Sequence, residues 1–214
     1  MKIGIDLGTT TSTVSILEPS GRVRAEPPIP SLGAWRNGEL VFGEAAYTAL
    51  RDQENRSYPV RDLKLSLGLK SVSVGPHVLD PEELTSQMLR ALASRVAGQH
   101  VIEEAVIGTP VRVNEGHRAA LLRSAALAGF KRTRLVYEPT SALVGAIEPT
   151  GISKNSTILV VDWGGGTLDL SIVQRAGDAL RELAVDGDVS ALGGSRMDEE
   201  LLDLLAARHQ GLKS

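Results

Sequence analysis

One segment of the chain occurs twice, and that repetition limits the fold more than any other feature. Ile3-Gly-Ile-Asp-Leu-Gly-Thr-Thr-Thr-Ser-Thr-Val-Ser-Ile16 aligns with Leu159-Val-Val-Asp-Trp-Gly-Gly-Gly-Thr-Leu-Asp-Leu-Ser-Ile172 at one constant offset, without a gap. Asp6, Gly8, Thr11, Ser15 and Ile16 meet Asp162, Gly164, Thr167, Ser171 and Ile172. Each copy is an apolar run ending in aspartate, a Gly/Thr turn and a second β-rich run, which predicts a β-hairpin with an acidic tip. Two such hairpins predict two related lobes.

The residue types at the two tips suit one chemistry. Glycines let backbone N–H groups come close to an anion and threonine hydroxyls add donors, so each turn can act as a phosphate nest. Two carboxylates directed at one site repel unless a cation lies between them, and Mg²⁺ that keeps several waters suits that arrangement. The sequence has no G-x-x-x-x-G-K-[ST] and no G-x-G-x-x-G after a strand, so P-loop and Rossmann readings are disfavoured.

The 214 residues carry 23 basic and 26 acidic side chains, a net charge of 23 − 26 = −3, with no basic block to mark nucleic acid or an anionic membrane as partner. Cysteine is absent, which removes disulfides and thiolate chemistry and fits a reducing cytoplasm. The histidines at 77, 100, 117 and 209 have no metal-binding spacing and read as solvated or locally bonded. No apolar run has the length of a signal or membrane segment.

Short β-rich runs at Lys2–Ile5, Thr13–Leu17, Ala105–Thr109 and Thr157–Val161 alternate with helical patterns, which predicts an α/β fold. Asp80, Pro81 and Glu83 predict a helix start with a capping box. Leu84, Met88, Leu92 and Val96 form its core stripe, and Gly98 stops it. Further helices are predicted from Asn114 to Gly129, from Glu138-Pro139 through Ala146, and from Arg196 to Gln210, the last amphipathic. The proline- and glycine-rich stretch 20–38 predicts turns and edge strands.

Four ordered motifs carry a resemblance: Asp6-Leu-Gly-Thr-Thr10, Glu138-Pro-Thr-Ser-Ala142, Asp162-Trp-Gly-Gly-Gly-Thr-Leu-Asp169 and Leu192-Gly-Gly-Ser-Arg-Met-Asp198. With Ile29-Pro-Ser31, Gly43-Glu-Ala-Ala46 and Leu63-Lys-Leu-Ser-Leu-Gly68, the chain resembles the N-terminal part of the ATPase domain of DnaK-type (heat-shock 70 kDa) chaperones, in the actin-like ATPase superfamily. The resemblance implies an actin-like (ribonuclease H-like) α/β fold, with residues 1–154 as the first lobe and 155–214 as the start of the second. It also implies ATP or ADP with Mg²⁺ as cofactors. Gly8, Thr9 and Thr10 correspond to the first phosphate loop and Gly164, Gly165, Gly166 and Thr167 to the second, while Asp6 and Asp162 would hold Mg²⁺ through water. Lys64 matches a lysine near the γ-phosphate that helps place the attacking water, and Glu138 and Asp169 complete the polar site. Gly193 and Gly194 match a backbone approach to phosphate at a helix start, and Pro110 and Arg118 match a relay of nucleotide state.

Relative to that family the stretch Lys70–Val78 is short, and the adenosine-contacting and peptide-binding segments are absent from the sequence. The expectation is weak or undetectable ATP binding and turnover by this chain alone. Unfolded clients and co-chaperones would be engaged through other parts of a cytoplasmic protein. Related alternatives are an actin-like filament ATPase of the bacterial shape-determining type, a small-molecule kinase of the same superfamily, and a module that binds without hydrolysis.

Overall fold

A computed structural model describes residues 1–36, 39–52, 56–98, 100–188 and 192–209. The backbone gathers into two compact units, Met1–Thr109 with Val113–Val136, and Pro110–Arg112 with the chain from Tyr137 onward.

In the first unit the strands are β1 (Lys2–Leu7), β2 (Thr11–Leu17), β3 (Val23–Ala25), β4 (Ile29–Pro30), β5 (Gly33–Arg36) and β6 (Glu39–Phe42). Helix α1 (Glu44–Arg51), β7 (Tyr58–Val60), α2 (Leu63–Ser66), β8 (Val72–Val74), β9 (His77–Leu79), α3 (Pro81–Ala97), β10 (Glu104–Thr109), α4 (Glu115–Leu127) and β11 (Thr133–Tyr137) follow. A mixed sheet runs β11-β10-β1-β2-β3, with β4 also on β2, and β1 pairs parallel with β10 and antiparallel with β2. Successive side chains of a strand point to opposite faces, so Ile3, Ile5 and Leu7 go into the core together. The stretch 20–38 forms the edge strands β3 and β4, as its prolines and glycines predict, but also β5, which pairs on both sides as the central strand of a second sheet in the order β6-β5-β7; Asn37 and Gly38 lie outside the described residues.

Helix α3 supplies the other half of that core. Leu84, Met88 and Leu92 are buried, and Val96 is half-buried against them, as the spacing predicts. Asp80 caps the helix by accepting the Glu82 N–H at 2.8 Å. The predicted capping box does not close, because the Glu83 carboxylate turns to Gln87 and Arg90 on the next turns. Helix α4 packs on α3, and Arg123 grips Glu82 with two bonds of 2.9 and 2.6 Å.

The second unit contains α5 (Glu138–Thr150), β12 (Asn155–Trp163), β13 (Leu168–Ala176), β14 (Ala179–Asp188) and α6 (Gly194–Arg208). The strands form an antiparallel sheet in the order β12-β13-β14, with α5 packed on β12 and β13. Strand β12 forms where the β-rich run Thr157–Val161 predicts a strand, and its burial alternates, with Leu159, Val161 and Trp163 on the more exposed face. Helix α6 starts two residues before its predicted position, and Gln210, its predicted end, lies outside the described residues. Its apolar residues Met197, Leu201, Leu202 and Leu204 are exposed, and none of its residues is buried. Among the described residues, no helix is long and apolar enough to cross a membrane.

Candidate functional site

The sequence repeat is reproduced in the hydrogen-bond ladder, pair for pair. In the first hairpin Lys2 to Leu7 face Leu17 to Ser12, so that Asp6 lies opposite Thr13 and Leu7 opposite Ser12. In the second, Ile158 to Trp163 face Val173 to Leu168, so that Asp162 lies opposite Asp169 and Trp163 opposite Leu168. Shifting every residue of the first ladder by the sequence offset gives the second. Both turns therefore leave the sheet at the same point of the pleat, immediately after the aspartate strand.

The first turn, Gly8 to Thr10, is braced from outside. Ser31 donates its N–H to the Thr10 carbonyl at 2.8 Å, and the buried hydroxyls of Ser12 and Ser31 lie 2.7 Å apart. Gly8 leaves no room for a side chain, since a β-carbon there would stand 2.3 Å from the carbonyl oxygen of Thr11. The obstacle is backbone, which cannot swing aside. We expect Gly8→Ala to lower stability by about 1–3 kcal/mol, measured as a shift in the urea midpoint at unchanged slope. A midpoint equal to that of the parent chain would show that the turn relaxes freely.

Lys64 sits in the one-turn helix α2, which is entered through Asp62 at φ +54°. It is only 4% exposed, far from the usual solvated state of a lysine. His117, read from sequence as solvated or locally bonded, is in fact buried at 7% exposure in the first turn of α4. Burial, reinforced by the Lys64 charge, holds its imidazole below the usual histidine range, against a backbone hydrogen bond at Leu67 that favours the protonated form. Arg118, the next residue, is half-buried.

In the second unit the turn closes with the Gly164 N–H on the Thr167 carbonyl at 2.9 Å, leaving Gly165 and Gly166 outside the ladder. The start of α6 is fastened to this turn: Gly194 and Ser195 donate their N–H groups to the carbonyls of Gly164 and Gly165 at 3.0 and 2.7 Å. Those amides are among the donors a helix start leaves unpaired. A β-carbon on Gly193 would lie 2.6 Å from the Gly165 oxygen and the Gly166 carbonyl carbon, so the paired glycines let helix and loop meet backbone to backbone. The Trp163 indole N–H adds a bond to the Leu192 carbonyl at 2.5 Å.

Asp169 is 2% exposed, and its Oδ1 accepts the N–H of Val111 at 2.9 Å. Its Oδ2 is buried without a hydrogen-bond partner. A buried carboxylate oxygen in that state is costly unless a donor or cation comes to it. Sequence reasoning missed the Val111 amide because it joins residues 58 positions apart. Pro110, buried beside Val111, belongs to this unit by its contacts. Glu138 is 8% exposed at the first position of α5, and the neighbouring Thr140 hydroxyl bonds Glu182, which also accepts from Ser171.

The second unit thus assembles Asp162, Gly164 to Thr167, Asp169, Gly193, Gly194 and Pro110 around one turn, with Glu138 heading the helix packed on that hairpin. The first unit carries Asp6, Gly8 to Thr10, Lys64 and Arg118. Among the described residues no three His, Asp or Glu side chains gather to hold a metal directly. The pairing of Asp162 with Asp169 and the orphaned Oδ2 fit a hydrated divalent cation, which accepts one or two carboxylates and keeps its waters.

The family model described as Hsp70 protein matches residues 41–213. The chain belongs to the Hsp70 family. It is 33% identical to the chaperone protein DnaK of Mycoplasmoides gallisepticum over 96% of this chain and 36% of that relative. It is 34% identical to the DnaK of Mycoplasma mycoides subsp. mycoides over 96% and 35% of the two chains, and 31% identical to that of Thermosipho africanus over 95% and 35%. The chain spans about a third of the length of these curated relatives. With this membership, the mixed sheet and flanking helices of the first unit and the hairpin-based second unit are an α/β fold of the actin-like Hsp70 type.

Proposed function

We propose that this chain is part of the nucleotide-binding domain of a DnaK-like chaperone and binds ATP or ADP with Mg²⁺ through its two turns. The observation that supports this most is the shared register of the two hairpins, each presenting an aspartate and a glycine turn at the same place. Gly8, Thr9 and Thr10 would bind phosphate oxygens from one lobe, residues 1–154, and Gly164 to Thr167 from the beginning of the other, residues 155–214. Gly193 and Gly194 hold the second turn in shape through the α6 amides.

Asp6, Asp162 and the free oxygen of Asp169 would orient the water shell of Mg²⁺, which when bound neutralises phosphate charge. Lys64 would place the attacking water and Glu138 would complete the polar lining. The protein's part in phosphoryl transfer is then positioning and fixed charge. Pro110, next to the amide that Asp169 holds, and Arg118 on α4 would pass nucleotide state to the rest of a longer, cytoplasmic protein that engages unfolded clients and co-chaperones.

Calorimetric titration of ATP·Mg²⁺ into this chain and into an Asp6→Asn, Asp162→Asn double variant tests the reading. Weak binding by the parent that is lost in the double variant is expected, with little phosphate release. Equal binding by both would move the nucleotide away from the hairpin tips, and no binding by the parent would deny the function to this chain alone.

A further inference from the structure

Helix α6 is fastened at its start, by the Gly194 and Ser195 amides on the glycine turn, yet none of its residues is buried. Its 15 residues are close to the length, about 12–15 residues, below which a helix on its own is marginal in water, and such a helix takes most of its stability from packing an apolar face. That face is present. Met197, Leu201 and Leu204 recur at intervals of four and three, the spacing of a seam between paired helices, and Arg208 continues the series. The three apolar side chains are 53%, 56% and 61% exposed. With Leu192, Arg196 and Glu200 they line a surface groove of about 390 Å³.

Charge selects the partner and its direction. Asp198, Glu199, Glu200 and Asp203 make the earlier part of α6 acidic, with Arg196 paired to Glu199 and Glu200 at 3.1 and 2.6 Å, and Arg208 lies in the last turn. A parallel copy would set acid beside acid. An antiparallel copy sets Leu201 of each chain against Leu204 of the other and lays each Arg208 along the other Met197, beside the turn that carries Glu200, with the two helix dipoles opposed. One helix therefore carries both halves of the match, and a two-fold axis repeats every contact. The Trp163 indole on the Leu192 carbonyl joins this groove to the exposed face of β12, where Val161 and Leu159 extend the apolar patch. The helix stripe alone covers less than the roughly 800 Å² per partner of a standard interface, so the pair is weak.

We propose that this chain associates with a second copy of itself through α6, as a two-fold antiparallel helix pair whose seam is Met197, Leu201, Leu204 and Arg208. The dissociation constant expected for so small an interface is on the order of 10 µM.

Sedimentation equilibrium of the full chain from about 1 to about 200 µM brackets that constant, and the average mass is expected to rise from one chain toward two. The double variant Leu201→Glu, Leu204→Glu changes exposed side chains and should weaken association at least tenfold. Leu202→Glu is the control: Leu202 is 65% exposed but turned roughly 100° or more from both leucines of the seam, and its variant should associate like the parent. A chain that stays single throughout, which would leave the stripe to another segment or another protein, overturns the proposal. So does a dimer that survives in the double variant or that Leu202→Glu disrupts equally. The chain has no cysteine, so Leu201→Cys and Leu204→Cys chains, mixed and oxidised, report direction. The disulfide between the two different variants should form in excess of random mixing, whereas a preference for like with like means a parallel pair and overturns the antiparallel seam.

Discussion

Replacing Gly193 by valine is expected to detach α6 from the second turn and to abolish phosphate binding there. The β-carbon alone would sit 2.6 Å from two backbone atoms of Gly165 and Gly166, and valine adds two methyl groups to that collision. Overpacking of this kind costs about 1–3 kcal/mol where side chains can yield, and here backbone must yield. Separation also forfeits the bonds from Gly194 and Ser195, each contributing about 0.5–1.5 kcal/mol. We expect a total near 3 kcal/mol in urea unfolding of the second unit, together with loss of calorimetric binding of inorganic triphosphate. Gly194→Ala is the control, because its β-carbon would meet the Gly165 Cα at 3.6 Å, an ordinary contact, and alanine favours a helix start over glycine. Equal effects of the two substitutions would sink the argument from close approach.

Asp169 separates structure from binding through its two oxygens. Asp169→Asn keeps an acceptor for the Val111 amide and removes the charge at the buried Oδ2, whereas Asp169→Ala leaves that amide unpaired. The alanine variant should lose about 1–3 kcal/mol of stability, the cost of a stranded buried donor. The asparagine variant should stay within about 0.5 kcal/mol of the parent, the range of substitutions that break no such feature. If Oδ2 serves the hydrated cation, both variants should bind ATP·Mg²⁺ at least tenfold more weakly, about 1.4 kcal/mol. Unaltered affinity in the asparagine variant would falsify a cation role for Asp169 and leave it as a clasp for Val111.

Much of this arrangement was legible in the sequence because it is local. Apolar runs, an aspartate and a glycine turn define each hairpin, and Asp80, Asn114 and Glu138-Pro139 mark helix starts within a few residues of the groups they serve. What escaped depends on chain segments meeting across long separations. The bond of Asp169 to Val111, the burial of His117 beneath Gly68, and the seating of Gly193 on Gly165 each join stretches whose proximity no local pattern encodes. The Asp80 cap shows a smaller version: the spacing to Glu83 suits a box, but Gln87 and Arg90 one helical turn onward compete for the same carboxylate.

Trp163 has a consequence of an optical kind. It ends the aspartate strand of the second hairpin, more than half exposed, with its indole N–H on the Leu192 carbonyl just before α6 begins. The sequence has one other tryptophan, Trp35, in β5 of the first unit, where it stacks at a tilt 5.0 Å from His77. With Trp35 changed to phenylalanine, the remaining fluorophore sits at the seam between turn and helix. Its emission then reads out, without an added label, whether α6 is seated on the glycine loop.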